Sequence, residues 1–339
     1  MPSAARRAGG AAGTLWSHGS FTDPHKAMAT PTAYAAGASR RRRDMTRWTA
    51  VDIPDQRGRT VIVTGANSGL GTEVTRTLVA ADAKVIMACR DLDKAHAVAD
   101  ALGANTQVRR LDLADLSSVR SFVDDLDGGV DVLINNAGVM AVPRGTTADG
   151  FERHIGTNHL GPFALTGLLI NRVRDRVVTV SSGLHRLGRI REDLNWERRR
   201  YQRWLAYAQS KLANLLFAYE LQRQLSSAGR RTISMAAHPG VAATEGMRRD
   251  TSLQGKLLAG GPAQTPEMGA LPILYAATAP DLAGGACIGP DGFMQRSGYP
   301  TLVRSSRTSR DTTLADQLWK RSELLTGVRM EVTAPAADA

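Results

Sequence analysis

The sequence predicts an α/β fold with three layers, in which helices cover both faces of one doubly wound parallel sheet. The first observation is that short β-branched runs alternate with helical stretches from Thr60 onward, because strands joined through helices form parallel sheets. The second is that 339 residues, 42% of them hydrophobic, suffice for one large core. Right-handed crossovers then predict a single Rossmann-type domain over residues 45–339.

The individual elements follow in chain order from these patterns. Strands are predicted at 60–64, 84–89, 108–113, 130–136, 176–182 and 231–238. Helices are predicted at 70–81, 92–102, 115–126, 157–171, 206–226 and 265–278. The strands are short β-branched runs, and the longer stretches between them are helical. The alternation of strand and helix is the only internal repeat that we find.

Residues 1–44 differ in composition from the rest of the chain. They are rich in Ala, Gly, Ser and Arg, and they hold seven basic residues but only two acidic ones. Such a segment buries too little apolar surface to offset the entropy lost on ordering. We therefore expect either a disordered leader or a mis-assigned start, with Met45 as the working initiator. An Arg-rich organellar transit peptide is the alternative.

Charge, hydropathy and cysteine content narrow the possible functions. The net charge is +11 and four arginines run from 40 to 43, but no nucleic-acid-binding motif accompanies them, so we expect no nucleic-acid partner. No apolar run reaches the roughly 18 residues that a membrane span needs. The two cysteines, Cys89 and Cys287, lack metal-ligand spacing. These features favour a cytoplasmic protein without a metal site.

A glycine-rich turn at the first strand–helix junction predicts a dinucleotide site. The stretch TGANSGLG occupies residues 64–71. Glycines there allow a tight turn and a close approach to a pyrophosphate, which the helix N-terminus also attracts. The predicted contacts are Gly65, Asn67, Ser68, Gly69, Leu70 and Gly71. An ordinary glycine turn is the competing reading, but it does not account for the position between a strand and a helix.

The end of the second strand bears on which cofactor is bound. It reads ACRD at 88–91. An acidic residue at this position binds the ribose 2′-hydroxyl of NAD, whereas an arginine accepts the 2′-phosphate of NADP. Arg90 favours NADP, and a shift of one residue would place Asp91 there and favour NAD. NADP is therefore the predicted cofactor, with NAD as the alternative.

Two further stretches carry polar groups in positions that suit a site. In LINNAGVM, at 133–140, two amides precede Gly138; these amides can line a ligand or tie the strand to its loop.

In YAQSK, Tyr207 and Lys211 are four residues apart, so a helix places them on one face. A nearby ammonium lowers the pKa of a phenol, which can then exchange a proton near neutral pH.

Four motifs in this order resemble the short-chain dehydrogenase/reductase family: TGANSGLG, NNAG at 135–138, YAQSK, and HPGVAAT at 238–244. The resemblance covers roughly residues 55–330. Within the family, ACRDLDKA, TADGFERHIGTNHLGPFALT and YAQSKLANLLFAYEL are most similar to the retinol dehydrogenases and WW-domain oxidoreductases. The resemblance implies an NAD(P)-dependent enzyme that interconverts an alcohol and a carbonyl, acts on a lipophilic small molecule, and is commonly a homo-oligomer.

The resemblance also implies roles for single residues. Tyr207 would be the general acid/base, and Lys211 would lower its pKa and bind the nicotinamide ribose. Ser182, with Ser181 as the alternative, would hold the substrate oxygen, and Asn158 would anchor a water that links Lys211 to solvent. The remaining implied cofactor contacts are Asp112 and Leu113 beside the adenine, Asn136, Ala137, Gly138, Pro239 and Gly240, and Thr244 at the nicotinamide amide. His238 would be structural, and His185 is assigned no catalytic role.

Other readings of the chain remain open at this point. An NADP(H)-binding sensor or scaffold with little turnover would also use the glycine turn. A nucleotide-sugar epimerase shares the Tyr/Lys pair but usually has a larger C-terminal domain. The segment 183–206, which contains Trp196 and Trp204, is expected to be a solvated surface loop; alternatively it borders the substrate mouth. Residues 256–261 fall where the family places a substrate lid.

Overall fold

One mixed sheet organises the molecule. The computed structural model describes residues 47–242 and 263–334, and their eight strands lie in the order β3-β2-β1-β4-β5-β6-β7-β8. The strands are β1 Thr60–Thr64, β2 Lys84–Cys89, β3 Thr106–Arg110, β4 Val130–Asn135, β5 Val173–Val180, β6 Ile233–Ala237, β7 Cys287–Pro290 and β8 Pro300–Leu302. All neighbouring pairs are parallel except β7 and β8, which are antiparallel.

Helices cover both faces of this sheet. They are α1 Gly69–Ala80, α2 Leu92–Leu102, α3 Leu116–Asp124, α4 Gly161–Leu169, α5 Arg203–Ser227, α6 Pro266–Thr278 and α7 Thr312–Thr326. Buried side chains of α1, α2 and α6 pack on one face. Those of α3, α4 and α5 pack on the other. The predicted three-layer α/β/α fold is thereby confirmed.

The core explains why the central strands are apolar throughout. In β1, Ile62 points into one helical layer, while Val61 and Val63 point into the other. All three side chains are almost completely buried. A strand of a sheet covered on both faces needs apolar residues at successive positions, which is what the run TVIVT provides.

Several elements differ from the prediction. The third strand ends at Arg110 rather than at 113, so Asp112 and Leu113 lie in the loop beyond it. The first part of the helix predicted at 157–171 is a π-helix, Gly156–Leu160, which a helical turn at Arg153–Ile155 precedes, and the α-helix α4 begins only at Gly161. Periodicity cannot separate a π-helix from an α-helix, because the two differ by a single inserted residue.

The C-terminal part contains elements that the sequence analysis leaves out, namely β7, β8 and α7. The predicted leader at 1–44, the lid at 256–261 and Thr244 all lie outside the described residues. Among the residues described, no helix is long and apolar enough to cross a membrane. The same part of the chain contains no group of three His, Cys, Asp or Glu side chains that could hold a metal ion.

The topology places the site at one edge of the sheet. Strand order runs from β1 to β2 and β3 on one side, and from β1 to β4 and onward on the other. Adjacent loops diverge where the order reverses, and in such sheets ligands bind there, beyond the carboxyl ends of the strands. The glycine turn follows β1 directly, and NNAG closes β4 at the same reversal point.

Candidate active site

The glycine turn packs too closely for larger residues. Gly65 has φ +66°, and a Cβ on Gly71 would lie only 2.1 Å from the Gly65 carbonyl oxygen. Ser68 is the N-cap of α1, yet its side chain makes no capping hydrogen bond. The first backbone N–H groups of α1 therefore lack a side-chain cap and suit a phosphate. This local geometry fits the pyrophosphate of a dinucleotide.

The end of β2 separates the two residues that compete for the ribose. The Asp91 carboxylate accepts a hydrogen bond of 3.0 Å from the Lys94 backbone N–H and thus caps α2. Arg90 is exposed. The Asn67 amide donates to the Asp91 carbonyl oxygen at 3.0 Å, which ties the glycine turn to this strand end. The predicted Leu70 contact lies in the first turn of α1.

The NNAG loop is tied to β1 by one hydroxyl. The backbone N–H groups of Asn136 and Ala137 each donate to the Thr64 hydroxyl at 3.0 Å, and the Asn136 amide donates to the Thr64 carbonyl oxygen at 2.9 Å. Of the two readings for these amides, the structure shows the tie between strand and loop for Asn136. Asn135 donates instead to the Thr166 hydroxyl at 2.9 Å.

Tyr207 lies in α5 with its phenol beside Ser182. Burial raises the pKa of Tyr207 to about 12, and a hydrogen bond with the Ser182 hydroxyl partly opposes this rise. Ser181 is fully buried, and its hydroxyl donates to the Lys211 carbonyl oxygen at 2.7 Å. The structure therefore pairs Ser182 with the phenol and gives Ser181 a packing contact. That Lys211 lowers the Tyr207 pKa stays a prediction.

Lys211 is almost completely buried one turn farther along α5. Its ammonium donates to the Val180 carbonyl oxygen at 3.1 Å and lies 5.7 Å from the centre of the Tyr207 ring. Burial lowers the pKa of Lys211 to about 8. The Asn214 amide donates to the same carbonyl at 3.0 Å. A Cβ on Gly138 would lie 3.5 Å from the ammonium, so the NNAG loop borders Lys211.

Asn158 lies in the π-helix and connects the NNAG loop to α5. Its amide oxygen accepts from the Val139 N–H at 2.7 Å, and its amide nitrogen donates to the Val139 carbonyl and the Ser210 hydroxyl, both at 2.9 Å. The side chain is fully buried. Asn158 thus holds the loop beside Lys211, and its role in anchoring a water stays a prediction.

The remaining predicted cofactor residues lie in loops at this edge. The Asp112 carboxylate accepts from the Ala114 N–H at 3.0 Å, and the neighbouring Leu113 is buried. Pro239 and Gly240 follow β6, where Gly240 has φ +67°. Their loop is held by His238, whose ring contacts the Gln295 amide oxygen at 3.0 Å. Burial lowers the pKa of His238 to about 4, consistent with a neutral structural histidine.

The insert 183–206 packs two tryptophans against the site while many of its other side chains are exposed, so the expectation of a solvated loop holds for only part of it. Trp196 and Trp204 are 4% and 7% exposed. Trp204 meets Tyr207 edge to face, with ring centroids 6.2 Å apart. The His185 ring donates to the Ser182 carbonyl oxygen at 2.7 Å and accepts from the Ser306 N–H at 3.1 Å. The insert is therefore part of the wall around the phenol.

Sequence reasoning missed several groups that complete this site. Ser210 and Asn214 bind Asn158 and the Val180 carbonyl, respectively. Ser210 lies three residues after Tyr207 and Asn214 three residues after Lys211, which was the available signal. The His154 ring and the Glu152 carboxylate form a buried hydrogen bond of 2.8 Å. No local pattern indicates this contact as part of the site, because Tyr201, which donates to the same carboxylate, is distant in the sequence.

Comparison with known proteins agrees with this geometry. The family model described as short chain dehydrogenase matches residues 59–254. Human retinol dehydrogenase 13 is 40% identical over 80% of this chain and 85% of its own length. Polyprenol dehydrogenase of Danio rerio is 38% identical over 82% of this chain and 90% of its own length. An uncharacterized protein from Mycobacterium paratuberculosis has a crystal structure that matches with TM-score 0.75 and 50% identity, over 85% of this chain and all of that one.

The predicted family is confirmed by both its motifs and these matches. The relatives named retinol dehydrogenases agree with the branch that the sequence resembles. The glycine turn fits a dinucleotide, and the buried phenol and ammonium beside the Ser182 hydroxyl suit proton exchange at an oxygen. The chain therefore belongs to the short-chain dehydrogenase family and is an oxidoreductase that uses a nicotinamide cofactor to interconvert an alcohol and a carbonyl.

Proposed function

We propose that the chain reduces a lipophilic aldehyde or ketone, or oxidises the matching alcohol, with NADP(H) and with Tyr207 as the general acid/base. The observation that carries the proposal is the grouping of the buried Tyr207 and Lys211 side chains with Ser182 beside the NNAG loop. When bound, the nicotinamide supplies or accepts the hydride. The protein's own part is to bind the substrate oxygen and to move one proton to or from it.

The proton chemistry follows from the geometry around Tyr207. In the direction of reduction, negative charge develops on the carbonyl oxygen, and the Ser182 hydroxyl and the phenol can both donate hydrogen bonds to it. The phenol then gives up its proton. A phenol whose pKa burial raises to about 12 keeps its proton at neutral pH, which suits the acid role. The Lys211 ammonium favours the phenolate left behind, since opposite charges attract strongly in a buried site.

The cofactor preference is argued from Arg90 and Asp91. The Asp91 carboxylate already caps α2, so binding a ribose hydroxyl would compete with a helix cap worth about 1 kcal/mol. Arg90 is exposed beside the turn that Asn67 ties to β2. A guanidinium there suits a 2′-phosphate. These contacts support NADP over NAD.

The surroundings of the phenol support a lipophilic substrate. Tyr207 packs in a cluster with Ala141 and Trp204, and Met140 and Leu184 pack against it. An apolar substrate gains roughly 25 cal/mol for each Å² of apolar surface removed from water. Two of the relatives are named for retinol and for polyprenol, which are both lipophilic alcohols.

A comparison of wild type with Tyr207→Phe tests the function. Tryptophan fluorescence first gives the dissociation constants of NADPH and NADH, and we expect NADPH to bind more tightly. NADPH consumption is then followed with retinal and decanal. We expect Tyr207→Phe to lose the 10²- to 10⁴-fold contribution typical of a general acid, with NADPH affinity nearly unchanged. Unchanged turnover would remove Tyr207 from the acid/base role.

The alternatives predict other outcomes in the same experiment. A sensor or scaffold would bind NADPH but show no turnover of any aldehyde, even in wild type. The match to the short-chain dehydrogenase family disfavours this reading. A cytoplasmic location and a homo-oligomeric state stay predictions, to be checked by fractionation and by light scattering.

A further inference from the structure

We infer that Glu152, His154 and Tyr201 form a clasp that fixes residues 141–142 against Tyr207 and thereby positions the substrate. This inference rests on the proposed function and adds positioning residues to it. Glu152 and His154 lie in the turn that precedes the π-helix, and Tyr201 belongs to the insert. The first two side chains are 2% and 0% exposed. We call these three residues the clasp.

The clasp is saturated with hydrogen bonds. One oxygen of the Glu152 carboxylate accepts from the His154 ring at 2.8 Å, from the His154 backbone N–H at 2.9 Å and from the Tyr201 hydroxyl at 3.0 Å. The other oxygen accepts from the Ile155 N–H at 2.9 Å. These contacts hold the pKa of Glu152 below its ordinary value despite burial. Such a network tolerates the loss of a member poorly.

The clasp contacts the backbone of Val142 at both its N–H and its carbonyl group. The Val142 N–H donates to the second nitrogen of the His154 ring at 3.3 Å, and the Tyr201 hydroxyl lies 3.3 Å from the Val142 carbonyl oxygen. The backbone N–H of Glu152 also donates to the Asn195 side chain at 3.0 Å. The loop after β4, the turn before the π-helix and the insert are thus joined through one buried point.

The residue next to Val142 has a strained backbone. Ala141 has φ +51°, a region that residues with a Cβ rarely adopt. Strain of this kind persists only where the surroundings over-determine the conformation, and it concentrates at functional sites. Ala141 is 6% exposed and packs in the cluster with Tyr207 and Trp204. The clasp therefore holds a strained wall residue next to the phenol.

The clasp acts on the substrate side of the site. Its histidine ring lies 6.2 Å from the Tyr207 ring, centre to centre. The glycine turn at 65–71 runs from the end of β1 into the start of α1, and within the described residues none of its hydrogen bonds reaches the clasp. Loosening the clasp should therefore change how a substrate is held and leave the binding of NADPH as it is.

Tyr201→Phe tests this, with Tyr219→Phe as its matched control. Each substitution removes one phenol hydroxyl that donates a single short bond: Tyr201 to Glu152 at 3.0 Å, and Tyr219 to the Ser305 hydroxyl at 2.8 Å. We expect Tyr201→Phe to raise the KM for retinal about fivefold to tenfold, as for one lost hydrogen bond. Its dissociation constant for NADPH should stay at the wild-type value. Tyr219→Phe should change neither quantity.

Hydrogen exchange of the peptide around Val142 supplies a readout that needs no turnover. The Val142 N–H should exchange faster in Tyr201→Phe than in wild type or Tyr219→Phe, because its acceptor ring loses a neighbour. Equal exchange in all three proteins, or equal KM in active variants, would overturn the clasp. If wild type turned over no aldehyde while exchange still rose in Tyr201→Phe, the proposed activity would fail and the clasp on residues 141–142 would stand.

Discussion

At the scale of single residues, the buried ammonium of Lys211 is the group in the site whose burial costs the most folding free energy. Lys211 is 4% exposed, and within the described part of the chain its ammonium donates one hydrogen bond, to the Val180 carbonyl oxygen. The structure keeps this cation buried although burial lowers its pKa to about 8. Buried charges without an opposite partner destabilise a fold. Its place beside the Tyr207 phenol explains why a lysine occupies this buried position.

We therefore expect Lys211→Met to stabilise the protein while abolishing turnover. Below pH 8 the ammonium is charged in both states, so the full cost of burying it falls on the folded state, on the order of 3 kcal/mol. Between pH 8 and 10.5 the unfolded chain binds more protons, so wild-type stability rises with pH relative to the variant. Asn214 continues to donate to Val180.

Denaturant unfolding of both proteins at pH 7 and above pH 10 measures this difference. The variant should be more stable at pH 7 by about 1–3 kcal/mol, after allowing for the lost hydrogen bond. The advantage should shrink at the higher pH. A variant that is less stable than wild type at pH 7 would mean that burial of the ammonium costs little.

Residue identities near the chemistry were predictable, but the partners that orient them were not. Tyr207 and Lys211 follow from a motif with fixed spacing, and Ser182 follows from the family resemblance, with Ser181 as the alternative. The difference between Ser181 and Ser182 needs the direction of each side chain, which only β5 and α5 together define. The Glu152–Tyr201 bond joins residues that the sequence separates widely. Such long-range contacts leave no local pattern.

At the scale of secondary-structure elements, the packing of α1 on β1 sets the width of the cofactor turn. A Cβ on Gly71 would lie 2.1 Å from the Gly65 carbonyl oxygen and 2.7 Å from the Asn136 amide nitrogen. Neither neighbour is the free end of a flexible side chain, because the amide is itself bonded to the Thr64 carbonyl. A side chain at this position would therefore push α1 away from the sheet.

Gly71→Ala should accordingly weaken both NADPH binding and folding. Overpacking of this kind typically costs about 1–3 kcal/mol, and we expect roughly a tenfold or greater loss of NADPH affinity. Gly183→Ala is the control, since a Cβ there would meet nothing within 4 Å. Fluorescence titration and thermal unfolding of both variants measure the two effects. Equal affinities in the two variants would contradict the close packing of α1.

The elements themselves were mostly predictable because each carries a strong local signal. β1, β2 and β4 each contain at least three consecutive apolar residues, and α5 is long. The π-helix at Gly156–Leu160 gave no such signal, because a π-helix and an α-helix can have the same amino-acid composition. β8 is three residues long and includes Pro300, which favours a loop reading. Its pairing depends on β7, a partner that the sequence analysis did not identify.

At the scale of the whole molecule, three buried histidines tie distant parts together. Burial lowers the pKa of His159, His185 and His238 to about 4 in each case. His159 contacts Ser322 of α7 at 2.9 Å, and the other two hold loops near Ser306 and Gln295. All three are neutral in the folded protein over a pH range in which the unfolded chain is protonated.

We therefore expect stability to fall steeply below pH 6.5. Between pH 6.5 and 4 the unfolded chain binds more protons than the folded one, so the free energy of unfolding decreases as the pH drops. Three such groups together give up to about 4 kcal/mol per pH unit. Thermal unfolding from pH 7.5 to 4 measures the slope. His159→Gln should reduce it by about one third, and an unaltered slope would exclude His159 as a contributor.

The short antiparallel β8 also determines how the outer margin of the sheet meets other chains. Pro300, at the start of β8, has no N–H to donate, and the opposite margin, β3, ends in Arg109 and Arg110. Brief, proline-bearing or charged margins are poor templates for adding a foreign strand. Crowded copies of this protein should consequently resist the strand-to-strand stacking that leads to fibrils, even though the inner strands of the sheet are rich in buried apolar residues.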